Sequence, residues 1–95
     1  MYTATCMNEV RRNNELAGRC FFHPLTMNYW RSKIETELLA NNTFVTSEKP
    51  EFEAVRKYSV RYYNPETAQI ETIGEHGQFE SCKDAIFFAK SFSKT

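Results

Sequence analysis

Lys57-Tyr58-Ser59-Val60-Arg61-Tyr62-Tyr63 is the stretch on which the fold turns. Aromatic and β-branched side chains mark it as a strand, because such residues fit a pleated, half-buried surface. Side chains alternate across a strand, so Tyr58, Val60 and Tyr62 share one face while Ser59, Arg61 and Tyr63 share the other. Asn64-Pro65-Glu66-Thr67 follows, with Asn and Pro at the first and second positions of a turn. Gln69 to Gly74 (QIETIG) then returns antiparallel, and His76-Gly77 makes the next bend. Upstream, Thr43 to Glu48 (TFVTSE) reads as another strand, ended by Lys49-Pro50.

Downstream, Ser81 to Phe92 reads as a helix. Ser81 is its expected N-cap, and Asp84 stands three residues on, where a capping-box acid belongs and the helix dipole favours negative charge. Ala85, Ile86, Ala89 and Phe92 form an apolar stripe, with Cys82 and Phe88 at its margins. Lys90 and Lys94 suit the C-terminal end. The expected fold class is α+β: a small antiparallel sheet of three or four strands, with the C-terminal helix packed on one face. Val60, Ala85, Ile86, Ala89 and Phe92 should be buried between them, and Phe92→Ala should cost roughly 3–5 kcal/mol.

Met27 to Leu39 matches two templates. As a helix it puts Met27, Trp30, Ile34 and Leu38 on one face, with Thr26 as its cap; as a strand it alternates Trp30, Ser32, Ile34, Thr36 and Leu38 with charged residues. The pairs Arg31/Glu35 and Lys33/Glu37 run in the less favourable helical order, and Ala40-Asn41-Asn42 resembles a hairpin loop, so the strand is preferred. Residues 1–26 are the least legible. Tyr2, Ala4 and Cys6 alternate like a short strand, Asn8 could cap a helix that stops at Gly18, and His23-Pro24 breaks regular structure. The first residues of this segment are expected to be mobile.

The chain has 95 residues, one domain's worth, and a domain of this size buries only about 60–65% of its unfolded surface. Its 8 Phe, 5 Tyr and 1 Trp supply the large side chains that such a core needs. The 12 basic and 12 acidic residues cancel, which argues against a dedicated nucleic-acid binder. Three widely spaced cysteines, Cys6, Cys20 and Cys82, read as reduced thiols rather than a disulfide framework, with Cys20 and Cys82 as small core residues. The first fifteen residues have no apolar core of a signal peptide, and no apolar run suits a membrane helix. A cytoplasmic protein is expected.

Cys20-x-x-His23 has metal-ligand spacing, with Cys6, His76 and Cys82 to complete a set, yet structural zinc sites show two such knuckles. Cys82 with His76 is the one nucleophile–base pair close in sequence, but Cys82 falls beside the apolar stripe. Gly74-Glu75-His76-Gly77 matches no phosphate loop. No catalytic residue, metal ligand or cofactor is therefore expected.

The sheet face opposite the helix is the candidate working surface. Arg61, Tyr63 and Ile73 would lie there, with Val45, and Trp30 nearby; Phe21 and Phe22 would cover part of it. Tyr and Arg are favoured at interface hot spots. The same face could instead stack bases and hold phosphates, or Arg61 could merely pair with Glu71 across the strands. On this reading Tyr63→Ala with Arg61→Glu abolishes partner binding and leaves stability nearly unchanged.

Tyr58 to Phe92, with its aromatic-x-Val-Arg strand, a return strand ending near Gly74, Phe79, Ser81 and a helix carrying Asp84-Ala85 and Ala89, resembles the three-strand-plus-helix DNA-binding modules of tyrosine recombinases and ethylene-response factors. That resemblance implies a sheet entering the major groove, with Arg61, Arg56 and Lys57 in contact with DNA. NTFVTSEK, KYSVRYYN, IETIGEHGQF and the Ser-capped helix together resemble short uncharacterised bacteriophage accessory proteins. This second resemblance implies an interaction module that binds, and could inhibit, a host protein. A double-stranded-RNA-binding domain is rejected, because Ser81-Cys82-Lys83-Asp84 stands where that family carries lysines. The leading expectation is a non-enzymatic phage-like protein that binds another protein or a second copy of itself. A small DNA-binding module comes second, and a cysteine- or metal-dependent enzyme third.

Overall fold

Strand alternation and helix periodicity give way to three layers in the computed structural model, which describes residues 1–93; Lys94 lies outside them. The elements are α1 (Met7–Leu16), α2 (Pro24–Trp30), β1 (Lys33–Ile34), β2 (Thr43–Glu48), β3 (Lys57–Tyr63), β4 (Ile70–Ile73) and α3 (Cys82–Ser91). The fold is α+β. The strands pair antiparallel in the order β1-β2-β3-β4. β2 and β3 run as expected, with Val45 opposite Val60 and Phe44 opposite Arg61.

α3 covers one face of the sheet. Val45, Val60, Ala85 and Ala89 are buried there, with Ile73, Ile86 and Tyr58 packed against them. Phe92 is half-buried, its ring 6.1 Å from that of Tyr62. The expected Ser81 cap bond does not form: Ser81 is the N-cap by backbone geometry but makes no side-chain cap hydrogen bond.

The N-terminal third covers the other face. Met7, Val10, Phe22, Phe44, Tyr63 and Ala68 form a second cluster, with Phe21, Met27, Ile34 and Ile70 packed on it. Residues 1–26 thus contribute half of the buried residues of this cluster. Tyr2 to Cys6 is not a strand. Its backbone is held instead by side chains and turns: Tyr63 donates its hydroxyl proton to the Tyr2 carbonyl, and the Tyr2 N–H donates to the Pro65 carbonyl at 2.6 Å. α1 begins at Met7 with Cys6 as N-cap, two residues before the expected cap Asn8. It ends on Gly18, whose φ of 74° is the left-handed conformation that closes a helix. Two buried asparagines dock it: Asn13 donates to Tyr63 Oη at 3.2 Å and Asn14 to the Ala68 carbonyl at 2.9 Å.

Met27 to Leu39 is neither the preferred strand nor one helix. Pro24 occupies the first helical turn, where its missing N–H costs nothing, and the His23 side chain accepts the Leu25 N–H. α2 runs to Trp30 and stops at Arg31, which is left-handed at φ 49°. Only Lys33 and Ile34 then pair with β2. The hairpin loop is as read, with Asn42 at φ 63°.

Candidate functional site

On the α1 side of the sheet, β2 presents Phe44, Thr46 and Glu48, while β3 presents Ser59, Arg61 and Tyr63. Phe44 and Tyr63 join the apolar cluster, so the polar residues collect toward the other end of the strands. Arg61 is 7% exposed and Glu48 2%. Each guanidinium nitrogen has a partner: Nε donates to Thr46 Oγ1 at 2.9 Å, Nη1 donates to Thr72 Oγ1, and Nη2 stands 3.4 Å from Glu48 Oε1. Its carbon lies 5.3 Å from the centre of the Phe21 ring. Burial pulls the pKa of Arg61 below the ordinary arginine value, and Glu48 opposes that shift. The group stays cationic, since arginine does not lose its proton in proteins.

Glu48 Oε1 is crowded. It accepts from Ser59 Oγ at 2.9 Å, and His76 Nε2 stands 3.4 Å away. Ser59 Oγ in turn accepts the Gly77 N–H at 2.8 Å. Gly77 fits because its φ is 69° and because a Cβ there would stand 3.2 Å from that of Lys57. Glu48 Oε2, by contrast, is buried and meets no donor among the described residues.

Trp30 stands over this cluster. The Lys49 N–H donates to the Trp30 carbonyl at 2.9 Å, and Arg56 Nη1 donates to the Arg31 carbonyl at 3.0 Å. The first bond ties the end of α2 to the end of β2, and the second ties it to the residue that precedes β3. The Trp30 ring centre lies 5.2 Å from that of His76, 5.0 Å from Tyr29 and 6.3 Å from Phe52. Tyr29 is 61% exposed and Phe52 68%. Hollows flank this aromatic group. One of about 440 Å³ lies between Trp30, Met27, Phe21 and Arg61. One of about 150 Å³ lies between Trp30, Glu48, Pro50 and His76. A third, of about 350 Å³, is lined by Tyr29, Phe52 and Pro50.

Of the residues expected at the working surface, Trp30 and Arg61 come together around the largest hollow. Tyr63 does not: it is 0% exposed beneath α1. Ile73 and Val45 belong to the other face, because Ile73 pairs with Val60 and Val60 with Val45. Arg61 pairs with Glu48 rather than Glu71. The face expected to read DNA is therefore covered by the N-terminal layer, with Arg61 buried within it. Glu48, Ser59, Tyr29 and Phe52 were not singled out by the sequence reading. Strand alternation puts Glu48 on the face of Phe44, but which residue it meets depends on a register that the connection from 49 to 56 conceals.

The cysteines are free, and Cys20 is exposed rather than a core residue. Burial, reinforced by Glu35, pushes the Cys82 thiol above its ordinary pKa, which makes it a poorer nucleophile. Among the described residues no group of three or more His, Cys, Asp or Glu side chains is placed to hold a metal ion. No helix among them is long and apolar enough to cross a membrane.

No curated protein matches the chain, and no solved structure does. A family model matches residues 6–90, from the N-cap of α1 into the last turn of α3, so the elements that build the site lie inside the matched stretch. The chain belongs to that family, a family of unknown function (DUF7447).

Proposed function

We propose that this protein is a non-enzymatic binding module that docks another protein on the aromatic rim formed by Tyr29, Trp30 and Phe52. The observation that carries the reading is the exposure of Tyr29 and Phe52 on either side of a fixed Trp30. Large aromatic side chains held in the open favour an interface, because they bury much apolar area at little cost in conformational freedom. The rim is also built rather than incidental. Two segments distant in sequence meet there, held by the Lys49–Trp30 backbone bond and by the Arg56 side chain on the Arg31 carbonyl. An interaction role also fits the resemblance to short bacteriophage proteins.

A catalytic reading has less support. A nucleophile–base pair needs a hydroxyl or thiol on the imidazole. His76 faces a carboxylate, and among the described residues no hydroxyl or thiol bonds to it.

The test is affinity capture from lysate of the source cell, with and without nuclease, using the wild type and a Tyr29→Ala/Phe52→Ala variant. Both side chains are exposed, so the variant should keep its stability within about 1 kcal/mol. Capture should survive nuclease and be lost in the variant. Capture that nuclease removes, or that the variant retains, would overturn the proposal. Sedimentation of both forms separates a foreign partner from self-association through the same rim.

A further inference from the structure

We infer that the hollow of about 440 Å³ between Phe21, Met27 and Trp30 is a binding site for a small aromatic carboxylate. Its ring lies among these three side chains, and its carboxylate is met by Arg61 and the hydroxyls of Thr26 and Ser32. The inference goes beyond the protein-binding reading and does not rest on it.

The polar part of the lining is the first support. Arg61, His76, Thr26 and Ser32 supply it; no carboxylate is among them, and a guanidinium is. The guanidinium is the end of Arg61 that borders the hollow. Its carbon lies 5.3 Å from the centre of the Phe21 ring, and the Glu48 oxygen that it faces also stands 3.4 Å from His76. Both Phe21 and His76 belong to the wall. An arginine carries five N–H donors. Thr46, Thr72 and Glu48 take one each, so further N–H groups are left without a partner among the described residues. The Arg61 side chain keeps 9% of its surface accessible, whereas Glu48 is 2% exposed and does not line this hollow. The hydroxyls of Thr26 and Ser32 form no hydrogen bond among the described residues. An entering acceptor thus finds donors ready for it, while a cation would meet the guanidinium and no carboxylate.

The apolar part is the second support. Ligand sites are lined mainly by apolar and aromatic side chains with a few convergent polar groups, at volumes of about 300–1,000 Å³. A cavity of about 150 Å³ takes benzene, and this hollow is larger, so a two-ring acid fits. The indole of Trp30 offers such a ring an offset-stacked or edge contact, and Met27 offers it a thioether. The Trp30 backbone is fixed by the Lys49 N–H, so this wall is in place before a ligand arrives.

The experiment titrates three probes of one shape into isotope-labelled full chain: naphthoate, neutral naphthamide and cationic naphthylmethylammonium. Two-dimensional NMR follows the Trp30 indole and Ser32 amide signals. Naphthoate should shift both saturably, with a Kd on the order of 100 μM. The amide should bind about fivefold more weakly, because it lacks the charge-assisted bond, and the ammonium should not saturate. Thr26→Ala/Ser32→Ala removes two hydroxyls that hold nothing else in place, and should weaken naphthoate binding about fivefold. Tyr29→Ala/Phe52→Ala should leave it unchanged within about twofold, since neither residue lines this hollow. An absence of saturable shifts, equal binding of acid and amide, or saturable binding of the ammonium would overturn the inference. So would full affinity in Thr26→Ala/Ser32→Ala, or loss of binding in Tyr29→Ala/Phe52→Ala, which would move the probe to the rim.

Discussion

Arg61→Ala is the most severe of the simple tests. The substitution removes the donors to Thr46 and Thr72, the stacking over Phe21 and the partner of Glu48. It leaves the Glu48 carboxylate 2% exposed with only Ser59 and His76 beside it. Breaking a buried pair by deleting one member costs about 3–5 kcal/mol, since the surviving charge stays out of water. A domain of this size is stable by roughly 5–15 kcal/mol, so the variant should be close to unfolding. Its midpoint should fall by about 15 °C or more. Replacing both members by apolar groups of similar volume removes the stranded charge, and Arg61→Met with Glu48→Leu should recover to within about 1–2 kcal/mol of the wild type. The assay is urea denaturation of the wild type, Arg61→Ala, the singles Arg61→Met and Glu48→Leu and their double variant, followed by Trp30 fluorescence and far-ultraviolet circular dichroism. A coupling energy above about 2 kcal/mol is expected from the cycle. An Arg61→Ala variant within about 1 kcal/mol of the wild type, or strictly additive singles, would falsify the buried-pair argument.

His76→Ala should cost less than about 1 kcal/mol, because its side chain is 46% exposed and the pair with Glu48 is correspondingly screened. Val60→Ala should cost about 2 kcal/mol from two lost methyls between β3 and α3, whereas Phe92→Ala, at a half-buried position, should cost about 1–2 kcal/mol rather than the larger value expected of a core phenylalanine; chemical denaturation orders the two. Burial raises the Tyr63 pKa above its ordinary 10.0, so the folded state holds the phenolic proton more tightly than the unfolded one. The advantage of the wild type over Tyr63→Phe should therefore be complete below pH 10 and shrink as pH climbs from there, which paired denaturation curves at neutral and alkaline pH would reveal. Maleimide should label exposed Cys20 first and Cys82 last, as read by mass after peptide mapping; the reverse order would refute the placement of Cys82 against the α3 core.

The elements with strong local signals were legible. TFVTSE and KYSVRYY run over the expected residues because β-branched and aromatic side chains, closed by Pro50 and the Asn64 turn, leave little else for the chain to do. Of the α3 stripe, Ala85 and Ala89 are buried as expected, whereas Ile86 and Phe92 are half-buried. The second layer was illegible for a physical reason. α1 is attached through Asn13 and Asn14, whose hydrogen bonds reach residues 50 and 54 positions away and the extended N-terminus, and no periodicity announces a buried asparagine. Without that layer, Arg61 and Tyr63 look like an open face. Ile73 was placed on the wrong face because alternation gives two faces but not the register that joins neighbouring strands.

Trp30 lies beside the hollow that Arg61 also lines, and the structure accounts for its position. A tryptophan at the end of a seven-residue helix cannot be held by the helix alone, since so short a helix is marginal in water. It is held because Arg31 turns left-handed and β2 supplies the Lys49 N–H to the Trp30 carbonyl. The same β2 terminus supplies Glu48, and the bend after β4 supplies His76. The Glu48–Arg61 pair that staples the sheet beneath the N-terminal layer is thus linked to Trp30 through His76, which stands 3.4 Å from Glu48 and 5.2 Å, ring to ring, from the indole. Substitutions at this pair should disturb both stability and the rim, whereas Tyr29 and Phe52 can be removed without touching the core. That separation makes the exposed aromatics, rather than the buried arginine, the place to interrogate function.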